Sequence, residues 1–188
     1  MFIKLSTKKC SKKEFVEFWS SLYNYDYPEL YNKSIIKKSF KNKDIENLFL
    51  WKNGMRLSFP KQIALKKKVL AKLSIINKLK RNFSLEKFNE EFQNLSAIWK
   101  IFLLHCIRPD IYPIFDQHVF RAMSYILSSG IIEISKYDKK KYEQYFKLYL
   151  PFFYELLEKD FSKINLDKSL WMFGRSLKEP LLKSSIKF

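Results

Sequence analysis

The sequence predicts an all-α fold, built as one domain over residues 1–188 or as two closely packed lobes. Three observations carry this. Apolar residues recur at helical spacing through most of the chain. Strand-like stretches are confined to Phe2 to Leu5 and Ile131 to Ile134. Only 3 glycines and 6 prolines punctuate 188 residues, so the chain has few enforced sharp turns. With 47% hydrophobic and 18% aromatic residues it can bury a substantial core, which argues against disorder.

The elements follow in order. Ser11 suits the N-cap of a helix whose apolar face includes Phe15, Phe18, Trp19 and Leu22, ending before Pro28. Asp44 suits the start of a second, running through Ile45, Leu48, Phe49 and Trp51 to a stop at Gly54. From Phe59 to Lys80, Leu65, Val69, Leu73 and Ile76 recur at the spacing of one long helix. Ser84 opens a short helix through Phe88 and Phe92. Residues Ala97 to Ile107 are apolar nearly all round, the pattern of a buried central helix. Asp116 to Ser128 forms its partner, closed by Gly130. Asp138 to Asp160 reads as a long aromatic helix kinked at Pro151, because proline removes a helical donor. A last helix covers about Leu166 to Leu177, and the tyrosine stripe Tyr142, Tyr145 and Tyr149 with Phe153 reads as core.

Thirty-six Lys and Arg against 19 Asp and Glu give a formal charge of +17. Such an excess repels itself in a compact state, so a polyanionic partner is its natural explanation. An AT-rich coding bias raises Lys, Asn, Ile, Phe and Tyr, but does not explain the scarcity of acids. The acid-free run between Gly54 and Glu86, with Lys67, Lys68 and Lys72 among its cations, predicts a phosphate-facing surface; a solvated helix face is the plainer alternative. Cys10 and Cys106 have no metal-ligand spacing, and no signal-like segment or membrane-length apolar run is present, so the expectation is a soluble cytoplasmic chain. No His-x-Glu with Cys-x-x-Cys occurs, excluding a zinc deaminase, and no glycine-rich phosphate loop occurs.

The most informative stretch runs from Pro109 to Ala122. A turn carrying two prolines leads to Ile114 and Phe115, then to Asp116 where a helix should begin. An N-cap carboxylate accepts backbone N–H bonds and faces the positive end of the helix dipole, both of which favour its ionised form unless burial opposes them. His118 and Arg121 follow on the first turn, beside amides that suit a phosphate. An ordinary capping aspartate is the commoner meaning of such a pattern. The neighbouring histidine and arginine, and the basic charge, point toward chemistry on a nucleic acid.

The segment from Asp116 to Ala122, Asp-Gln-His-Val-Phe-Arg-Ala, resembles the Asp-Thr-His-Ile-Phe-Arg segment of endonuclease III and its relatives, the helix–hairpin–helix DNA glycosylases. The likeness is specific from Ile114 to Met123, loose from Phe83 to Ser129, and elsewhere is a compatible helical pattern. It implies a two-lobed helical bundle whose centre is the pair 97–107 and 116–128, with Asp116 as catalytic carboxylate and His118 and Arg121 on the DNA backbone. The family's glycine-rich hairpin, Leu-Pro-Gly-Val-Gly, reads here Leu95-Ser96-Ala97-Ile98-Trp99, without either glycine. Bifunctional members carry a catalytic lysine near this point. Lys100, sixteen residues before Asp116, is the candidate but is slightly misplaced, so it is more simply structural or phosphate-binding. The iron–sulfur cluster of some members needs four cysteines, and this chain has 2.

The resemblance implies a monofunctional DNA glycosylase acting as a monomer on duplex DNA with an extruded base, without metal or cofactor. The base, whether damaged, mismatched or hypermodified (including one made by a phage), stays open, and with it a role in repair or defence. Trp51 and Asn53 are candidates for stacking on and hydrogen bonding to that base, although core packing accounts for Trp51 equally well. His105, on the apolar helix, reads as a hydrogen-bonded core histidine. The alternative functions are a non-catalytic DNA-binding module on the same scaffold and, more distantly, an RNA-binding helical protein.

Overall fold

A computed structural model describes residues 10–24, 28–128 and 130–178. Every regular element among them is helical, and none is a strand. The elements are α1 (Lys12–Ser21), α2 (Pro28–Ile35), α3 (Asn42–Asn53), α4 (Phe59–Lys68), a 3₁₀ turn (Leu70–Lys72), α5 (Leu73–Arg81), α6 (Leu85–Glu91), α7 (Ala97–Ile107), α8 (Gln117–Ser128), α9 (Asp138–Gln144), a π turn (Tyr145–Tyr149), α10 (Leu150–Leu156) and α11 (Lys163–Ser176). The strand candidate Ile131–Ile134 is irregular, and Phe2–Leu5 lies outside the described residues. No helix among the described residues is long and apolar enough to cross a membrane.

The chain divides into two compact units, where the sequence allowed one domain or two closely packed lobes. One comprises residues 24–115 and 135–145 and is organised by α7. Ile101, Phe102, Leu103, Leu104, His105, Cys106 and Ile107 are all buried, as expected for a helix apolar on every side. Each large side chain here contributes roughly 1.5–3 kcal/mol by burial. Phe49 of α3 packs edge-on against Trp99 and Phe102 at 5.0 and 5.3 Å, in the geometry aromatic quadrupoles prefer. Gly54, at φ 70°, ends α3 in the left-handed conformation that glycine adopts without steric penalty. Asp44 does cap α3, but from inside the first turn: its Oδ2 accepts the Lys41 N–H at 2.7 Å. Burial opposes its charge, yet the Lys37 ammonium and the Lys41 amide outweigh this and hold the carboxyl below its ordinary range.

The single long helix expected over 59–80 is interrupted at Val69–Lys72. Lys66, Lys67 and Lys68 gather at the C-terminal end of α4, where cations favour the dipole. A continued α-helix would stack Lys68 on Lys72, four residues on, and like charges at that spacing are destabilising. The tighter turn separates them, and Lys72 pairs with Glu91 at 3.0 Å.

The other unit comprises residues 1–23, 116–134 and 146–188, and holds α1, α8, α10 and α11. Ser11 and Glu14 form a reciprocal capping box that starts α1. Its inward face differs from the expected one: Val16 is buried, whereas Phe18 and Leu22 are exposed. Phe15 and Trp19 pack on Phe173 of α11 at 5.3 and 5.2 Å. Helix α11, capped by Ser162, begins at Lys163, a turn earlier than expected. Between α9 and α10 the irregularity lies at Tyr145–Tyr149, just before Pro151 rather than at it. Proline has no N–H for the Lys147 carbonyl, and its ring presses on that turn, so the backbone widens there.

Candidate functional site

Asp116 stands immediately before α8 and starts it. Its Oδ1 accepts the N–H groups of His118 at 2.9 Å and Val119 at 3.2 Å, and its carbonyl accepts the Phe120 N–H at 3.1 Å. Two of the helix's unpaired donors are thereby satisfied, and the half-buried carboxylate is held in one orientation. The capping aspartate is legible in the sequence because these amide partners lie within four residues.

Its surroundings were not legible. His118 lies edge-on to Trp171 of α11, with ring centroids 5.3 Å apart. Its Nδ1 is 3.4 Å from Arg121 Nη1. A guanidinium only donates, so in this contact Nδ1 is the acceptor. Trp171 also contacts the Tyr23 ring at 5.6 Å and carries the Arg175 guanidinium at 5.3 Å from its centroid. Lys168 lies 5.4 Å from the Tyr23 centroid. A carboxylate, a histidine and a tryptophan bordered by cations therefore share one end of the α8–α11 pair.

Arg121 requires correction. Expected on the DNA backbone, it points inward, with only 4% of its side chain exposed. Its Nε and Nη2 bond the Glu133 carboxylate at 2.9–3.2 Å, and Nη1 donates to the Gly174 carbonyl at 3.0 Å. A guanidinium engaged on a carboxylate and a buried carbonyl is an internal clamp, because a phosphate would have to displace both. Gly174 lies inside α11, within the last helix that the sequence predicts. A Cβ there would fall 1.8 Å from the His118 carbonyl oxygen and 3.2 Å from the Ala122 nitrogen. The glycine permits α11 to approach the first turn of α8, the turn that Asp116 caps.

The remaining candidates belong to the unit organised by α7. Lys100 is half-buried. Its Nζ lies 3.4 Å from the Asn89 carbonyl and 4.8 Å from the Tyr142 centroid, and burial lowers its pKa. Tyr142 donates to Asn89 Oδ1 at 2.6 Å, and burial pushes its pKa up to about 12. Trp51 is a core residue: its ring packs 4.4 Å from Tyr31 and 6.2 Å from Phe102, which argues against its stacking on an extruded base. Asn53 is spent on the α3–α4 connection, donating to the Met55 carbonyl and accepting from Lys61. Within the basic run Lys67 is exposed, Lys68 is exposed but donates to the Asn94 carbonyl, and Lys72 is committed to Glu91. Lys72 is therefore removed from the expected phosphate-facing set. His105 is the core histidine expected: Nδ1 donates to the Tyr112 carbonyl at 2.6 Å, and Nε2 accepts from Tyr31 at 2.7 Å. Burial holds its pKa down to about 4.

Among the described residues no three His, Cys, Asp or Glu side chains are grouped to hold a metal ion. Comparison of the chain with protein-family models, with curated proteins and with solved structures gives no match.

Proposed function

We propose that the chain is a DNA glycosylase without lyase activity, acting in the cytoplasm as a monomer on duplex DNA whose target nucleotide is turned out of the helix. The observation that carries this reading is the Asp116 carboxylate, fixed through Oδ1 on two amides at the start of α8 yet only half-buried. As an N-glycosidic bond breaks, positive charge develops on the sugar. A preoriented anion stabilises it without reorganising at the moment of reaction. A carboxylate oxygen of Asp116 can also accept a hydrogen bond from the attacking water and so orient it. His118, on the first turn of α8 beside Asp116 and only half-buried, suits a phosphate oxygen beside the reacting sugar. The charge of +17 favours a polyanionic substrate, and the resemblance of Asp116–Ala122 to the endonuclease III segment supports the same chemistry.

The test is excision from duplexes carrying damaged, mismatched or hypermodified bases, scored as abasic sites. Asp116→Asn retains the capping hydrogen bonds, since an amide caps about as well as a carboxylate. Helicity and stability should stay close to the wild type, while excision falls on the order of 10²-fold or more. An equally active Asn variant would refute the assignment.

One observation favours a second reading, a non-catalytic DNA-binding module. Where the family's hairpin has glycines, Ala97 is 3% exposed and Trp99 packs on Phe49, so side chains occupy ground that glycine would leave open to a phosphate. That reading expects DNA binding with no abasic product from any of the duplexes.

A further inference from the structure

The corner between α3 and α4 exposes apolar surface in the middle of the acid-free run. Met55 is 70% exposed and Phe59 73%, although Leu57 and Leu65 on either side are buried. Single exposed apolar residues are ordinary. Here, however, Phe59, Ile63, Lys66 and Lys67 follow one another at i, i+4, i+7 and i+8 and share one face of α4, about 12 Å long. That face begins with an aromatic ring, continues through a half-covered isoleucine and ends in two exposed cations. Arg56, also exposed, precedes it.

The corner is firmly held. Gly54 turns the chain with its positive φ. Asn53 Nδ2 donates to the Met55 carbonyl at 2.9 Å, while Asn53 Oδ1 accepts from Lys61 Nζ at 2.9 Å. Gln62 Nε2 donates to the Leu57 carbonyl at 2.7 Å. The ring of Phe59 is therefore presented on a fixed support, so little order has to be gained when something stacks on it.

We propose that this face binds an unpaired nucleic-acid strand, one base stacking on Phe59 and the adjoining phosphates meeting Lys66 and Lys67. Charge complementarity selects the partner: no acidic residue stands between Gly54 and Glu86 to repel a polyanion. The order of groups along the face selects it further. A strand sets flat apolar bases beside phosphates, as the face sets the Phe59 ring and two cations, Lys66 and Lys67, on one side of α4. Recognition of this kind is tolerant of sequence, because every base has a π face.

The experiment is fluorescence anisotropy of a labelled oligothymidylate and of a matched blunt duplex, across a salt series, with the full chain. Phe59→Ala removes a mostly exposed ring, and circular dichroism checks that the fold is kept. It should weaken oligothymidylate binding roughly 5- to 150-fold, the equivalent of one base–aromatic stack, with the salt slope unchanged because no charge is lost. Phe59→Trp should restore binding. Lys66→Gln with Lys67→Gln should make the slope shallower by about 1.4, two single-strand phosphate contacts. The proposal is overturned if Phe59→Ala binds as the wild type does, or if its loss is as large on the duplex. Phe59-dependent binding to phosphatidylserine–phosphatidylcholine vesicles, without Phe59 dependence on oligothymidylate, overturns it equally. These probes carry no lesion, so the result is independent of excision at Asp116.

Discussion

Replacing Gly174 with alanine sets two physical effects against each other, and the structure decides which is larger. In an isolated helix the change favours folding, because alanine exceeds glycine in helix propensity by about 1 kcal/mol. In α11 the added Cβ would lie 1.8 Å from the His118 carbonyl oxygen, and real Cβ contacts essentially never fall below 3.0 Å. The two helices must therefore separate by at least about 1.2 Å at this point. The obstructing atom is backbone, so no rotamer change relieves it. A gap of this size forfeits a quarter to a half or more of the dispersion attraction between the facing atoms. It also strains the hydrogen bond from Arg121 to the Gly174 carbonyl. Overpacking of this kind typically costs about 1–3 kcal/mol, and an immovable contact belongs at the upper end. The net expectation is a destabilisation of about 2 kcal/mol. With a urea dependence of roughly 1–3 kcal/mol/M, the midpoint should fall by about 1 M. Urea titration followed by tryptophan fluorescence is a suitable assay, since Trp171 lies one turn before the substitution and touches His118. An unchanged or raised midpoint would show that propensity prevails and that the close approach of α11 to α8 is not tight.

Two further expectations concern Lys100 and His105. Lys100 is engaged by the Asn89 carbonyl and the Tyr142 ring, so borohydride should trap no covalent protein–DNA adduct; a strong adduct that disappears in Lys100→Gln would establish lyase activity. His105 has a folded pKa of about 4 against an ordinary 6.5, so the unfolded state binds the extra proton first. Its contribution to stability is complete above about pH 6.5 and is lost as the pH falls toward 4. Between pH 7 and pH 5 the loss should be on the order of 2 kcal/mol, measured by urea midpoints, and His105→Phe should flatten that part of the profile. A wild-type midpoint that does not move over this range would refute the buried neutral histidine.

What the sequence determined by itself was local. Ser11, Ser84 and Asp116 accept hydrogen bonds from backbone amides two or three residues away, and Gly54 stops α3 through its own φ, so helix starts and stops could be read directly. The burial of α7 was equally legible, because a helix apolar all round has no face to give to water. Tertiary structure decided which charged groups face inward. Arg121 follows Asp116 in a pattern that suggests a phosphate ligand, but Glu133, twelve residues on, and the Gly174 carbonyl, fifty-three on, draw it into the interior. Lys72 looks like its neighbours until Glu91, nineteen residues away, claims it. Gly174 has no reason in its own helix until the His118 backbone is brought within reach of the Cβ it lacks. A residue's intrinsic preference acts within one turn of chain, whereas a desolvated charge or a helix–helix contact takes its energy from partners that sequence spacing does not reveal.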